Sequence, residues 1–437
     1  MNRIAYVLAI SLVCAAPVAA QTRPLTYDDY YRIVRVGPAA LSPDGRRVAF
    51  VESRVDEEEN RNRSTLHLVR ADGSSRPTLL TRSDDVDETG PQWSPDGALL
   101  AFSRRGGDQG NGASSTWFLR TDDPTGPAFQ IDGLEGSPIF DPTNRRIAFT
   151  RPVPPEGPGP PEPELTEEER RIVERFDGRA YDWMQFRFDR RGYLPDPTDP
   201  HATPPSQIFA LPRDGGEARQ LTDLDVDASD VSWRPDGEAL AFTADEHQRD
   251  EHTYPRADLW TVDLQGEVTR LTDDEYDWSD PTWSPNGRHL VARGVVGLDV
   301  IIRERWDHGS PTDLWLFTAD GATRRNLTSD FDLIPGTPTW SADGSTLYFT
   351  AAVGGDSHLF RLDVQDGSIE QMTDGEGRGT VAVAEVHARQ RPAVERRVGG
   401  HHHFDQPGVR PRQVAVAQLS ALDREPRLGE RFHGLER

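Results

Sequence analysis

The stretch VSWRPDGEALAFTAD at residues 231–245 decides the fold, because close copies of it recur along the chain. PQWSPDGALLAFSRR begins at residue 91 and PTWSPNGRHLVARG begins at residue 281. In each copy Pro sets φ at the second turn position, Asp or Asn is third, and Gly follows where φ turns positive. Apolar and polar residues alternate on both sides, as in half-buried strands. Each copy therefore predicts a β-hairpin.

The hairpin occurs six times, and the second turn residue marks each copy: Pro43, Pro95, Pro142, Pro235, Pro285 and Ala342. A second phrase with a Gly-containing turn follows each hairpin, for example ADLWTVDLQGEVTRLTDD from residue 257. Four strands per unit of roughly 40 to 50 residues is typical of a β-propeller blade, whereas a β-sandwich does not repeat its turns in register. We predict an all-β propeller over residues 21–376, with six four-stranded antiparallel units and the closing blade lost.

One step between copies has double length, which places an insertion in the third blade at residues 152–205. The insertion begins Pro-rich, continues as a predicted short helix with Thr166 at its N-cap, and then becomes dense in aromatic residues and Arg. Aromatic side chains on such a loop suit a binding surface, but they also suit anchoring of the insertion to the propeller rim. Both interpretations stay open for Trp183, Phe186 and Phe188, and the second is favoured.

The first twenty residues, MNRIAYVLAISLVCAAPVAA, have a basic start, an apolar run and small residues at the end, as a cleavable secretory signal does. We expect cleavage after Ala20 and a secreted or periplasmic protein. No later segment approaches 18 apolar residues, so no membrane partner is expected. Cys14 is the only cysteine, and all 49 basic residues are Arg. The formal net charge of −24 argues against nucleic acid as a partner.

The composition changes from about Gly377, since all ten Trp lie before this point and neither Ile nor Tyr follows it. We expect residues 377–437 to be an atypical Arg- and His-rich tail. An out-of-frame translation of a GC-rich gene is favoured over a natural disordered tail. His401–His403 lack a carboxylate at metal-ligand spacing, so we predict no metal site and no cofactor.

Residues 24–376 resemble the N-terminal half of prolyl oligopeptidase family serine peptidases, of the secreted dipeptidyl- or acylaminoacyl-peptidase kind. Two stretches carry the resemblance: LTYDDYYRIVRVGPAALSPDGRRVAFV at residues 25–51 and YDWMQFRFDRRGYLPDPTDPHATPPSQIF at residues 181–209. The resemblance implies peptide substrates. It also implies a propeller that caps an α/β-hydrolase domain carrying a Ser-Asp-His triad.

The chain departs from that family because it contains no Gly-x-Ser-x-Gly pentapeptide, the motif that exposes the nucleophilic serine. We therefore assign no catalytic residue and expect the chain to be inactive by itself. The insertion is expected to recognise peptide ends, with an Asp receiving an amine and an Arg receiving a carboxylate or carbonyl. The candidate substrate-binding residues are Tyr181, Asp182, Trp183, Asp189, Arg190 and Arg191.

Two other functions stay open from the sequence. A stand-alone periplasmic binding propeller, resembling that of the Tol translocation system, would share the hairpin turns, although the peptidase-type insertion argues against it. A propeller enzyme acting on glycans would use paired carboxylates in the central channel, which cannot be located in so acidic a chain. The sequence assigns no oligomeric state.

Overall fold

The computed structural model describes residues 26–81, 86–106, 114–157, 166–168, 170–171, 199–250, 253–306, 309, 311–373, 381–383 and 416–418, the last two segments by their backbone alone. The chain forms an all-β propeller of six antiparallel blades arranged in a ring. The predicted fold class is confirmed. The insertion lies in the third blade, because the second strand of that blade ends at Pro152 and the third begins at Ser206.

The strands of the first three blades follow one another in sequence order. Blade 1 contains β1 (Val34–Leu41), β2 (Arg47–Asp56), β3 (Arg61–Arg70) and β4 (Thr78–Leu79). Blade 2 contains β5 (Val86–Trp93), β6 (Leu99–Gly106) and β7 (Ser114–Arg120), with a single bridge between Phe118 and Phe129 at its outer edge. Blade 3 contains β8 (Ile139–Phe140), β9 (Arg146–Pro152), β10 (Ser206–Pro212) and β11 (Arg219–Gln220).

The last three blades repeat this order. Blade 4 contains β12 (Ser229–Trp233), β13 (Ala239–Ala244), β14 (Asp258–Asp263) and β15 (Val268–Arg270). Blade 5 contains β16 (Tyr276–Trp283), β17 (His289–Val296), β18 (Asp313–Thr318) and β19 (Arg324–Asn326). Blade 6 contains β20 (Thr339–Trp340), β21 (Thr346–Val353), β22 (Asp356–Asp363) and β23 (Ile369–Gln371). Helix α1 spans Tyr27–Tyr31, and helix α2 spans Leu298–Arg303.

The hairpin turns have the geometry that their sequence predicts. In blade 1 the Ser42 hydroxyl donates to Asp44 at 2.6 Å and accepts a hydrogen bond from the Arg47 amide at 2.9 Å. Gly237 closes the turn of blade 4 with φ of 72°. In the degenerate third copy Asn144 takes this role with φ of 61°, because Asn tolerates the left-handed region better than most residues.

In blades 2, 4, 5 and 6 a Trp precedes the hairpin turn and packs its blade against the preceding one. These indoles are almost fully buried, and three of them donate to a carbonyl of the neighbouring blade: Trp93 to Ala40 at 3.0 Å, Trp233 to Ile139 at 2.9 Å and Trp340 to Thr282 at 3.1 Å. The Trp283 nitrogen has no partner in the described residues. One repeated residue thus serves both the core and the contact between blades.

The Thr that ends the second phrase ties the outer edge of a blade to its third strand. Its hydroxyl accepts a hydrogen bond from a backbone amide in four blades: Thr222 from Ile208 at 2.8 Å, and Thr272 from Leu259, Thr328 from Leu314 and Thr373 from Leu359, each at 2.9 Å. The repeated Leu-Thr or Met-Thr pair in the sequence is therefore structural.

The described residues form five buried apolar clusters, each of which lies between two successive blades. Two further strands, β24 (Val381–Val383) and β25 (Val416–Gln418), pair antiparallel with each other. Strand β24 contacts β1 of blade 1 and β22 of blade 6. This short pair therefore lies at the junction of the first and last blades.

Candidate functional site

The two faces of the ring differ in their connections. Because four antiparallel strands alternate in direction, every blade begins and ends on the same face. We call this the insertion face, and we call the face of the repeated hairpin turns the turn face. Residues 26–33 precede β1 on the insertion face, and the chain leaves β23 there. The connections between second and third strands also lie on this face and vary widely in length: 57–60, 107–113, 153–205, 245–257, 297–312 and 354–355.

Exposed large apolar side chains concentrate on one face. Within the part of the chain that the structure describes, all of them lie on the insertion face or in the strand end next to it: Tyr27, Tyr30, Ile33, Val36, Leu298, Ile302, Trp306, Ile334 and Met372. Exposed apolar area of this kind marks interaction surfaces in soluble proteins. The insertion face is therefore the candidate functional surface.

The blade 5 connection presents the most regular part of this surface. Leu298 and Ile302 lie one turn apart on α2 and are 50% and 52% exposed. Ion pairs hold the helix to its neighbours, since Arg256 of the blade 4 connection pairs with Asp299 at 3.1 Å and Arg303 pairs with Glu275 at 2.5 Å. The helix thus presents its apolar residues from a fixed position.

The C-terminal end of the blade 3 insertion is attached to blade 4. Arg249 donates to the Thr203 carbonyl at 3.2 Å, and the Ser206 amide donates to Asp227 at 2.6 Å. Gln248 and Asp227 exchange two hydrogen bonds, of 2.5 and 2.7 Å. Because Asp227 lies just before the innermost strand of blade 4, the base of the insertion lies on the insertion face near the central channel.

Two Asp residues interrupt the innermost strands at equivalent positions of blades 4 and 5. Asp230 and Asp280 have φ of 50° and 53° at bulges of β12 and β16, a conformation that Asp tolerates better than most residues. The Asp280 carboxylate accepts hydrogen bonds from Arg293 at 2.9 Å and from Thr337 of blade 6 at 3.1 Å. The Asp280 amide donates to Asp230 at 3.3 Å. Polar groups of three blades therefore meet around the axis.

A third carboxyl group nearby has a perturbed pKa. Burial raises the pKa of Asp277, and the charges of Asp245 and Asp230 add to this, against the Ala257 amide and Arg256. The sequence reasoning assigned none of these channel residues. The signal that could have found two of them is the Ser-Asp pair in SDVSW and SDPTW, three residues before the Trp in two successive blades.

The six predicted substrate-binding residues, Tyr181, Asp182, Trp183, Asp189, Arg190 and Arg191, lie outside the described residues, so their assignment stays a prediction. The predicted helix of the insertion does begin after Thr166, whose carbonyl accepts a hydrogen bond from the Arg170 amide at 2.9 Å.

The described residues contain neither a metal-binding cluster nor a membrane-spanning helix. No group of three or more His, Cys, Asp or Glu side chains is placed there to hold a metal ion. No helix of that part is long and apolar enough to cross a bilayer.

The chain is similar to two curated bacterial peptidases, although no family model matches it. Dipeptidyl-peptidase 5 of Porphyromonas gingivalis is 24% identical over 395 residues, covering 84% of this chain and 53% of the relative. The uncharacterised peptidase YuxL of Bacillus subtilis is 28% identical over 236 residues, covering 53% of this chain and 33% of the relative. The resemblance to the propeller part of prolyl oligopeptidase family peptidases is confirmed. The chain spans about half or less of the length of these relatives.

Solved structures agree with this fold. The β-propeller domain of the Trilobed protease from Pyrococcus furiosus superposes with a TM-score of 0.50 at 14% identity, covering 82% of this chain and 93% of that domain. An acylaminoacyl peptidase in complex with Z-Gly-Gly-Phe-chloromethyl ketone gives a TM-score of 0.53 at 12% identity, covering 81% of this chain and 50% of the peptidase. At these identities the likeness concerns the fold alone.

Proposed function

We propose that this chain is the substrate-gating propeller of a secreted peptidase of the prolyl oligopeptidase family, and that it is inactive on its own. Its insertion face would pack against a catalytic domain, and peptides would reach that domain through the space between the two. The names of the curated relatives support a peptide substrate.

The observation that carries the proposal is the one-sided distribution of apolar surface. The exposed large apolar side chains of the described residues, among them Leu298, Ile302 and Trp306, lie on the face where the chain enters and leaves the propeller. A domain joined to the propeller would meet this face first. Covering it would remove apolar area from water, at about 25 cal/mol per Å².

The channel supplies the polar part of such a gate. Asp230 and Asp280 offer carboxylate oxygens beside the axis, and the attached end of the insertion lies nearby at Thr203. Carboxylates in this position can accept hydrogen bonds from the amine or the amides of a peptide. The predicted residues of the insertion, Asp182 and Arg190 among them, would add contacts from above.

The proposal is tested with purified residues 21–437, a fluorophosphonate serine probe and chromogenic dipeptide and acyl-amino-acid amides. We expect no turnover above a buffer blank and no labelling, because amide hydrolysis by this family needs an activated serine with fixed oxyanion donors. Stoichiometric labelling of one serine that heat denaturation abolishes would contradict the assignment of this chain as an inactive propeller.

The same preparation tests the insertion face with a fluorescent apolar dye. Replacing Leu298, Ile302 and Trp306 together with Ser should reduce dye binding to the folded chain. The matched control replaces three exposed turn-face residues, Arg46, Asp72 and Glu238, with Ser and should leave dye binding unchanged. Equal dye binding by all three proteins would show that α2 and Trp306 do not form the exposed apolar surface.

A further inference from the structure

A cavity of about 560 Å³ lies between the outer edges of blades 1 and 2, away from the channel. Blade 1 contributes Thr78–Thr81, and blade 2 contributes Arg104 and Thr125–Ala128. This volume lies in the usual range for small-molecule sites. The lining combines aliphatic groups of Leu79, Leu80, Pro127 and Ala128 with hydroxyl groups at the mouth, where Thr78 and Thr125 are exposed.

Among the described residues of the lining, Arg104 alone is charged. Its Nε donates to Glu88 at 2.9 Å, and its guanidinium carbon lies 4.6 Å from the ring centre of Trp117 and 5.3 Å from that of Phe102. Glu88 is 2% exposed and also accepts a hydrogen bond from Thr81. The guanidinium of Arg104 is therefore held at its Nε edge by Glu88 and packed against two aromatic rings, so it has little freedom to rotate.

The remaining edge of the guanidinium has no partner among the described residues. No described residue offers an acceptor within hydrogen-bonding distance of the two terminal nitrogens of Arg104. A planar pair of N–H groups matches the two oxygens of a carboxylate and forms two parallel hydrogen bonds with it. Because the fork is already oriented, little side-chain entropy is lost when an acceptor binds.

The surrounding charge selects the kind of anion. Arg104 is already paired with one buried carboxylate, Glu88, and the whole chain carries a formal net charge of −24. A second negative charge on the ligand would therefore meet repulsion, since the described lining residues offer no further cation. The aliphatic lining favours a ligand that carries a small apolar group beside its acid.

We propose that this cavity binds a monocarboxylate with a small aliphatic group, whose carboxylate rests on the terminal nitrogens of Arg104. The aliphatic group would pack on Leu79, Leu80 and Ala128, and the hydroxyl groups of Thr78 and Thr125 would lie at the entrance. The proposal rests on the lining of this cavity at the outer edge of the ring, and it does not depend on the peptidase assignment.

The probe is N-acetyl-L-leucine, titrated calorimetrically into the full chain at pH 7, with the neutral N-acetyl-L-leucinamide as its matched ligand. We expect the acid to bind with a Kd of about 1 mM and the amide to bind at least about tenfold more weakly, since hydrogen bonds between charged groups are worth more than neutral ones. Arg104→Gln should weaken binding of the acid by a similar factor. Arg105→Gln should leave binding unchanged, because Arg105 is exposed on the opposite side of the same strand.

A second variant keeps the test decisive if Arg104→Gln destabilises the fold by leaving Glu88 buried without its cation. Thr78→Trp narrows the mouth from an exposed position and leaves the Arg104–Glu88 pair in place. It should abolish binding of the acid without changing the Tm of the free protein. Equal binding of acid and amide, or full binding by Thr78→Trp, would overturn the proposal. Tighter binding of inorganic phosphate than of N-acetyl-L-leucine, lost in Arg104→Gln, would overturn the choice of a monocarboxylate.

Discussion

The turn face and the insertion face of this propeller are built from the same blades but follow different rules. On the turn face, near-identical turns close each blade, and the described residues place no exposed large apolar side chain there. On the insertion face, connections range from two residues to more than fifty, and apolar side chains such as Ile302 are exposed. The repeated part of the sequence maintains the ring, and the part that differs between blades is available for binding.

Two carboxyl groups, Asp96 near the turn face and Asp277 near the insertion face, also differ in their electrostatics. On the turn face, partial burial works to raise the pKa of Asp96, but the Ser94 hydroxyl, the Ala98 amide and Arg213 outweigh it, so the pKa lies below its ordinary value. Toward the insertion face, burial dominates and raises the pKa of Asp277. Carboxylates of the turns thus stabilise the fold when ionised, whereas Asp277 is ionised at a cost. Perturbation of this second kind is common at functional sites.

The largest expected difference between the faces is in the loss of stability when an apolar side chain is removed. Trp233 is 5% exposed and donates to the Ile139 carbonyl across the blade interface, whereas Ile302 is 52% exposed on α2. Trp233→Ala should lower the free energy of unfolding by about 3 to 5 kcal/mol, because it leaves a cavity and an unpaired carbonyl. Ile302→Ser should change it by about 0.5 kcal/mol or less. Denaturant midpoints of the two variants measure the difference.

Comparable midpoints for the two variants would contradict the division of labour between the faces. A strong loss of stability in Ile302→Ser would mean that α2 belongs to the core. An unchanged slope of the unfolding transition is the control in both cases, since it shows that the same amount of surface is exposed on unfolding.

A smaller difference in stability is expected between the alanine variants of two glycines that both have a positive φ. Gly237 on the turn face has φ of 72°, and a Cβ built there would lie 2.5 Å from a carboxylate oxygen of the fully buried Asp141. Gly354, in the tight connection of blade 6, has φ of 62° with nothing within 4 Å. Gly354→Ala should cost about 1 kcal/mol from the backbone conformation alone. Gly237→Ala should cost about 2 to 3 kcal/mol, because Asp141 must also move away from its hydrogen bonds with Thr143.

Thermal melting of both alanine variants, with the wild-type chain alongside, tests this pair. If Gly354→Ala is the more destabilised of the two, the connection of blade 6 carries a constraint that its open surroundings do not reveal, and the insertion face is less permissive than we infer.

The fold could be predicted from the sequence wherever the same local signal recurs in successive blades. The turn residues, the Trp that precedes them and the alternating strands specify the hairpins locally, so each blade could be predicted without knowledge of its neighbours. It was less complete where a segment departs from the repeat. The outer strand of blade 2 is reduced to one bridge at Phe129, in a segment that contains Pro124 and Pro127, which cannot donate to a strand ladder.

The candidate site was predictable only in part, because neighbouring blades build it together. The insertion stood out by its length and composition, but the meeting of Asp230, Asp280 and Thr337 depends on how three blades close around the axis. A bulge with positive φ at an Asp has no sequence signal as strong as a turn glycine. The Arg104 cavity likewise forms between two blades, and neither blade contains it alone.

The smallest expected difference concerns the pH dependence of stability, which has opposite signs for Asp96 near the turn face and Asp277 near the insertion face. Asp96 has a lowered pKa in the folded chain, so its ionised form adds stability above the ordinary value of 3.8, and this is lost as the pH falls below 3.8 toward the folded pKa. Asp277 has a raised pKa, so the folded chain takes up its proton before the unfolded chain does. Its contribution to stability therefore improves as the pH falls from neutral through the raised pKa toward 3.8.

Unfolding of Asp96→Asn and Asp277→Asn between pH 2.5 and 7 separates the two effects, each of about 1 kcal/mol or less for these partly buried groups. The free energy of unfolding of the wild-type chain should rise relative to that of Asp96→Asn as the pH rises from about 2.5 to 4.5. The reason is that ionisation of Asp96 restores its bonds with Ser94 and Arg213. The free energy of unfolding of the wild-type chain should fall relative to that of Asp277→Asn as the pH rises from about 4 to 7. Only the wild type then carries a desolvated charge beside Asp245 and Asp230. Slopes of the same sign for both variants would mean that Asp96 and Asp277 do not differ in the direction of their pKa shifts. A flat difference for Asp277→Asn alone would place that carboxyl in contact with water and remove it from the candidate site.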